Sequence, residues 1–354
     1  MKIGVPREIK IAEGRVGLIP EACRELVRAG HEVAVEQGAG QLSGYTDEDY
    51  RAAGVRILPD AAALYGAAEL VVKVKEPVAG DLQHLRADQL LFCFLHLAAD
   101  PELTRQLCDI GLTAVAFETV TDASGALPLL APMSDIAGRL SVQIGANLLH
   151  QHQHQGGRGV LMGGMAMTER GHVVVLGAGH AGGAAARMAA DMGARVTVFD
   201  KNAERLRAMH LSAANIEARY AHQLAIDSAI READLLVGAV LLPGAHAPRL
   251  VTREQVQGML PGSVIVDIAV DQGGCIETIR PTNYLEQTYI EHGVVHFGVT
   301  NMPGAVPRTA SQALSAVITP YVQKLTAANW RDDPGLADGV NVAQGDVVLA
   351  AIRQ

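Results

Sequence analysis

Short apolar or β-branched runs bounded by turn residues recur along the first third of the chain: Lys2 to Val5, His31 to Val35, Val55 to Leu58, Leu70 to Lys75, Leu90 to His96 and Leu112 to Phe117. Helical patterns separate several of them. In Ile19 to Ala29, Ala22, Cys23, Leu26 and Val27 form one apolar stripe at i, i+3, i+4 spacing. Alternating strand and helix signals predict an α/β domain with a mainly parallel sheet.

From Ala131 to His152, the spacing of Met133, Ile136, Ala137, Leu140, Ile144 and Leu148 suits one long helix, read as a connector between domains. The glycine-rich stretch Gly156 to Gly164 breaks that periodicity. A second α/β series follows with His172 to Leu176, Arg195 to Asp200, Leu235 to Val240, Val264 to Ala269 and Val294 to Val299. Thr309 to Leu325 then reads as another long helix, with Ala313, Leu314, Val317, Ile318, Tyr321 and Val322 on one face. The expectation is an α/β protein of two Rossmann-like domains with parallel sheets, joined by long connector helices. The first domain is expected to be discontinuous, residues 1–130 plus 309–354, and the second to span residues 131–308.

Composition narrows the function classes. At 354 residues, 49% hydrophobic and 19% charged, the chain suits two globular domains and not a disordered segment. Its net charge of −9 comes with no basic cluster, which argues against a nucleic-acid partner. The opening MKIGVPREIK carries charge where a signal peptide needs an apolar region, and no apolar run approaches the roughly 18 residues of a membrane span. A soluble, cytoplasmic protein with no membrane partner is expected. Cys23, Cys93, Cys108 and Cys275 show no CxxC pairing, so reduced and mostly buried thiols fit best.

The most specific constellation is HVVVLGAGHAGGAAARMAADMGARVTVFD. An apolar strand runs into Gly177, Gly179 and Gly182, a small-residue helix follows, and the next strand ends in Asp200, 18 residues beyond Gly182. Gly177 allows the tight turn, Gly179 lets backbone approach a pyrophosphate, and Gly182 lets helix and strand pack closely. The helix N-terminus near His180 offers N–H groups and a positive dipole end to the phosphates. Asp200 suits the ribose hydroxyls and repels a 2′-phosphate, so NAD is the expected cofactor; Lys201 and Arg205 nearby leave room for some NADP use. A lone GxGxxG is often only a packing turn, but the full strand, helix, strand and acidic terminus make that reading poor.

Polar residues at strand ends supply the remaining candidates. His96 ends LLFCFLH, where an imidazole can move a proton near neutral pH. Lys75 ends ELVVKVKEP on the same alternating face as Lys73, and can hold a carboxylate or polarise a carbonyl. Asp271 follows SVIVDIAV on a flexible turn, and Arg15 in AEGRVGLIP suits bidentate carboxylate recognition. Each has a bland counterpart: a structural histidine, a solvated lysine face, a turn-forming aspartate and a surface arginine. The residues alone thus reach a NAD-dependent enzyme and no further.

Segments from end to end, among them MKIGVPREIK, EGRVGLIP, VKVKEP, LFCFLHLA, APMSDIAGRLSVQIGA, GSVIVDIAVDQGGC and VTNMPGAVPRT, resemble the alanine dehydrogenase family. The resemblance implies reversible oxidative deamination of L-alanine to pyruvate and ammonium with NAD, in a two-domain homo-oligomer, commonly a hexamer, with a cleft between its domains. It assigns the substrate carboxylate and carbonyl oxygen to Arg15 and Lys75, and proton handling to His96 and Asp271. Ser134, Gly179, His180, Asp200 and Arg205 are implied NAD contacts. So are Val240, Leu241, Ile268, Arg280, Asn301 and Met302. One departure is local: Ala221 and His222 follow Arg219 and Tyr220 where the family often carries a serine, so that adenosine contact is not carried over.

Two other classes compete. The NAD-binding component of a nicotinamide nucleotide transhydrogenase would pass hydride to a partner protein; such chains usually lack a histidine matching His96 and read an amide-rich turn in place of DQGG. A non-catalytic NAD sensor would need no acid–base pair. No metal is expected: His150 and His154 are i, i+4 with His152 between, but no acidic or cysteine ligand is near, and a solvated helix end is the simpler reading. Cys275 is read as packing.

Overall fold

Six parallel strands open the chain: β1 (Lys2–Val5), β2 (Glu32–Glu36), β3 (Arg56–Leu58), β4 (Leu70–Val72), β5 (Leu90–Cys93) and β6 (Thr113–Ala116). The computed structural model describes residues 1–151, 156–240 and 247–350. The chain divides into two compact units, Met1–Met133 with Gly304–Gln354, and Ser134–Pro303.

In the first unit the strands lie in the order β6-β5-β4-β1-β2-β3, and two short antiparallel strands, Val340–Ala343 and Asp346–Val347, extend the sheet beyond β6. Its central strands are covered on both faces, so β4 and β6 are buried at every position and show no polar alternation. Leu64, Leu91, Leu107 and Val342 belong to the core against one face. The strand order reverses between β1 and β4, the place where an open α/β sheet leaves a crevice at its C-terminal edge.

The second unit holds β7 (His172–Leu176), β8 (Arg195–Asp200), β9 (Ile216–Tyr220), β10 (Leu235–Gly238), β11 (Val264–Asp267), β12 (Thr288–Glu291) and β13 (Val294–Phe297). They lie in the order β12-β13-β11-β10-β7-β8-β9, all parallel except β12 against β13. Taken in chain order, the six parallel strands repeat the arrangement of the first unit, with the reversal between β7 and β10. Two mostly parallel α/β sheets are therefore present, as expected.

The helix Ala131–Leu148 leads from the first unit into the second. It ends four residues before the expected His152, so His150 lies beyond it. His152, His154 and Leu241 lie outside the described residues. The helix Pro307–Leu325 begins two residues before the expected Thr309, at a proline suited to a first helical turn.

Several strands are shorter than their apolar runs. Leu70 to Lys75 keeps strand geometry only to Val72, and Leu90 to His96 only to Cys93. Burial outlasts the ladder there: Phe94 and Leu95 are in the core although they follow β5. Lys73 and Lys75 consequently do not form the solvated alternating face that two lysines suggest; Lys73 is 1% exposed. Strands β9 and β12 and Asp346–Val347 went unanticipated because IEARY, TYIE and DV are polar edge segments, and Val340–Ala343 because VNVA is short and interrupted by Asn341.

Candidate active site

In the second unit the glycines follow β7 at the switch point. Gly177 has φ +96°, and a Cβ there would lie 2.7 Å from the Ala239 carbonyl oxygen after β10. Gly182 is tighter, since a Cβ would come within 1.8 Å of the Gly177 carbonyl oxygen. Gly179 is open, with Arg205 Nη1 the nearest atom to such a Cβ at 3.9 Å. These are the three environments a dinucleotide loop requires: a turn, a close helix–strand contact and a bare backbone for the pyrophosphate. The helix His180–Asp191 starts beyond Gly179 with no side-chain cap, so its first amides are available to an anion. His180 itself is exposed, and Val240 borders Gly177, its Cγ2 3.2 Å from a Cβ at that glycine.

Asp200 ends β8 and does more than await a ribose. Its carboxylate accepts from the Ala178 amide at 2.6 Å and the Asn202 amide at 2.8 Å, bracing the glycine loop from the neighbouring strand. Arg205 Nη1 lies 3.9 Å from it. The helix carrying Ser134 packs on the start of the helix His180–Asp191: a Cβ at Gly138 would fall 2.1 Å from the Ala181 carbonyl oxygen. Ser134 is therefore one turn upstream of that contact, on the same helix.

Asp271 sits in a 3-10 turn, Ile268–Gln272, and not in a loose loop. The turn is held from beneath by Asp267, whose carboxylate accepts from the amides of Ala269 at 2.9 Å, Cys275 at 2.8 Å and Ile276 at 3.2 Å. Burial raises the Asp267 carboxyl to about 6, against the opposing pull of those amides. Asp271 accepts from the Asn301 amide at 3.4 Å, and Asn301 takes φ +57°. Met302 is buried and its carbonyl receives the Tyr284 hydroxyl at 3.0 Å. Arg280 is exposed, with its guanidinium 4.3 Å from the Tyr289 ring centroid. Cys275 is buried with its thiol pushed well up, first by desolvation and then by Asp267, which suits packing and not reactivity.

In the first unit the remaining candidates gather at the C-terminal edge of the sheet. Lys75 follows β4 and His96 follows β5, and their segments are tied by the Phe94 amide donating to the Val74 carbonyl at 3.0 Å. The Arg15 segment runs against the same edge, since a Cβ at Gly17 would lie 3.1 Å from the Val72 carbonyl oxygen. Arg15 is no surface arginine. It is buried, its Nε donates to Glu13 Oε1 at 2.7 Å and its Nη2 to Glu13 Oε2 at 2.5 Å. Nη1 donates to Met133 Sδ at 3.3 Å. Lys75 Nζ lies 3.6 Å from Glu76, which also takes Lys10. Burial works to raise the Glu76 carboxyl, but the charge of Lys75 and the hydrogen bond from Lys10 outweigh it and hold it below its ordinary value.

His96 adopts a left-handed backbone, φ +52° and ψ +34°, uncommon outside glycine and a sign that its surroundings impose the turn. The cause is Glu118, which accepts from the His96 amide at 2.6 Å and from the Leu95 amide at 3.1 Å. The imidazole stacks on Phe94 at 5.8 Å, half exposed, with Nδ1 3.9 Å from Glu118. Glu118 and Asp267 were both missed. Each follows an apolar strand run, so the strand-end rule applied to LTAVAFE and to SVIVD would have found them. Among the described residues no three His, Cys, Asp or Glu side chains cluster as metal ligands, and no helix is long and apolar enough to cross a membrane.

The family profile "Alanine dehydrogenase/PNT, N-terminal domain" matches residues 4–137, and "Alanine dehydrogenase/PNT, C-terminal domain" matches residues 141–350. Alanine dehydrogenase of Halomonas elongata is 47% identical, over 100% of this chain and 96% of the relative. That of Bacillus subtilis is 46% identical, over 100% and 94%. A solved L-alanine dehydrogenase matches with TM-score 0.95 and 51% identity, over 100% of this chain and 98% of the other. A transhydrogenase structure from Sinorhizobium meliloti matches with TM-score 0.84 and 26% identity, over 99% and 100%. With both of its domain profiles matched along the length, the chain belongs to the alanine dehydrogenase/PNT family.

Proposed function

We propose that the chain is an NAD-dependent alanine dehydrogenase, interconverting L-alanine with pyruvate and ammonium. The full-length likeness to proteins named alanine dehydrogenase carries this reading, and the glycine loop with Asp200 supports a dinucleotide site. Bound NAD would supply the hydride acceptor for the alanine Cα–H.

The chain's own residues divide the other tasks. Residues 131–308 bind NAD, with Gly177, Gly179, Gly182 and Asp200 at its phosphates and ribose. Residues 1–130 with 309–354 hold the substrate. Glu13 orients the Arg15 guanidinium for the substrate carboxylate, and Lys75 takes the carbonyl oxygen. His96, its backbone fixed by Glu118, moves the proton that water addition requires, and Asp271 is the second proton-handling group. Ser134, His180, Arg205, Val240, Ile268, Arg280, Asn301 and Met302 complete the cofactor contacts. The protein acts in the cytoplasm as a homohexamer.

The test is NADH oxidation by the purified protein with pyruvate, with and without ammonium, against NADPH and 2-oxobutyrate as controls. Ammonium-dependent turnover with pyruvate is expected. Tight NADH binding without turnover would favour a transhydrogenase component or a sensor. His96→Ala is expected to lower kcat by about 100-fold or more, as loss of a general acid–base does, with NADH binding kept. Wild-type turnover in that variant would refute its role. Sedimentation of the native protein checks the hexamer.

A further inference from the structure

The switch point of the first sheet is not empty. Lys73, the first residue after β4, is buried, and its ammonium has three donors and three acceptors within reach. Glu8 Oε2, after β1, lies at 3.1 Å; Asp81 Oδ2 lies at 3.3 Å; the carbonyl of Lys75 lies at 3.1 Å. We propose that Lys73 is a positioning residue, whose ammonium, clasped by Glu8 and Asp81, fixes the backbone that presents Lys75 to the substrate. The inference rests on the substrate role given to Lys75 above.

The contacts of the two carboxylates point the same way. Glu8 Oε1 accepts from the Val74 amide at 2.6 Å, and Asp81 Oδ2 from the Val78 amide at 3.0 Å. Asp81 Oδ1 is itself held by the Tyr65 hydroxyl at 2.8 Å. The backbone at residues 74, 75 and 78 is thus gripped from within, on both sides of the Lys75 side chain. A buried ion cluster kept only for stability has no reason to converge on one loop, and well-packed apolar residues would serve stability as well or better. At the same place in the second sheet, the residues described between the ends of β7 and β10 are Gly177 and Ala239, with no buried ion pair between them.

A double-mutant cycle tests this with Lys73→Met, Lys75→Ala and the pair. Lys73→Met should raise the KM for pyruvate at least tenfold, leave NADH dissociation within twofold, and speed amide exchange in residues 74–78 ahead of the rest of the unit. The double variant should be no worse than Lys75→Ala alone, because Lys73 acts through Lys75. Additive losses, or a folded Lys73→Met protein with wild-type KM and wild-type exchange, would overturn the inference. If Lys73→Met does not fold, Asp81→Asn, which keeps the Lys73–Glu8 pair, is read by the same KM and exchange measurements. A wild-type protein inert to pyruvate and ammonium would overturn the dehydrogenase reading. The inference would fall separately, on unchanged exchange at residues 74–78.

Discussion

The two units carry sheets of the same parallel strand order, yet their switch points hold opposite things. Between β7 and β10 the chain brings Gly177 and Ala239 together and leaves bare backbone, a surface for a pyrophosphate. Between β1 and β4 it brings Glu8 and Lys73 together with Asp81 and fills the place with charge. Topology thus sets where a ligand-bearing edge lies, while the first few residues after each strand decide what that edge can bind. In the first unit three buried charged side chains stand where the second unit leaves bare backbone.

A finer contrast concerns two buried charges that each hold a loop. Lys73 sits between two carboxylates. Burial alone would lower its pKa, but the charges of Glu8 and Asp81 more than reverse this and hold it above its ordinary value. Among the described residues Asp267 accepts from amides and a thiol, and burial wins, raising it to about 6. The first charge has counter-ions, although burial still holds the Glu8 carboxyl above its ordinary value against the pull of Lys73. The second has no counter-ion among those residues and weakens the fold where it is ionised; what it contributes is the turn it holds, with Ile268 and Asp271.

The largest effect should follow from breaking the compensated charge. Lys73→Met leaves Glu8 and Asp81 buried without a counter-ion and should cost about 3–5 kcal/mol, as removal of one partner from a buried pair does. Urea denaturation of the first unit's core, compared with wild type, checks it. A loss below about 1 kcal/mol would remove the contrast with Asp267.

Asp267 predicts the opposite sign. Its folded pKa of about 6 lies above the ordinary 3.8, so its stabilising contribution is full below about pH 4 and declines as pH rises through 6. A shift of that size corresponds to about 3 kcal/mol. His172 and His296 slope the other way, because burial lowers both and stability falls as they are forced to protonate below their ordinary 6.5. The difference between wild type and Asp267→Asn isolates the carboxyl. Relative to the variant, wild type should lose stability from pH 4 to 7, while the variant loses turnover more than tenfold at pH 8. A flat difference across that range would show that Asp267 is not the uncompensated charge described.

The glycine side of the comparison breaks with one methyl. Gly182→Ala places a Cβ against the Gly177 carbonyl, and relieving that overlap should cost about 1–3 kcal/mol. NADH binding should weaken at least 100-fold, read by fluorescence titration, with the first unit's core unaffected in amide exchange.

How much of this the sequence carries differs by element. The central parallel strands and the GxGxxG loop announce themselves, because continuous apolar runs and glycine spacing are local properties. The candidates Lys75, His96 and Asp271 are visible as polar residues after such runs, and Arg15 as an arginine in a Gly-flanked loop. What holds them is not visible locally. Glu118 beneath His96, Glu8 and Asp81 around Lys73, and Asp267 under Asp271 take their roles from the folded strand ends, whereas Glu13 lies only two residues from Arg15. Some of those partners are far along the chain: Glu8 meets Lys73 across 65 residues. Asp267 was also disguised, counted inside the run Val264 to Ala269 although it ends β11.

The smallest effect concerns cofactor choice at the end of β8. Asp200 repels a 2′-phosphate, but it also accepts the Ala178 and Asn202 amides, so replacing it loosens the loop that holds both cofactors. Loop damage should weaken NAD and NADP alike, whereas lost repulsion, with Arg205 Nη1 already 3.9 Å away, should favour NADP alone. Asp200→Asn retains one acceptor for the amides and removes the charge, which separates the two contributions. The NADP-to-NAD ratio of kcat/KM should rise about tenfold, a change of about 1.4 kcal/mol, with NAD affinity falling by less than in Asp200→Ala. An unchanged ratio in both variants would mean that Asp200 braces the glycine loop and leaves the choice of cofactor to other residues.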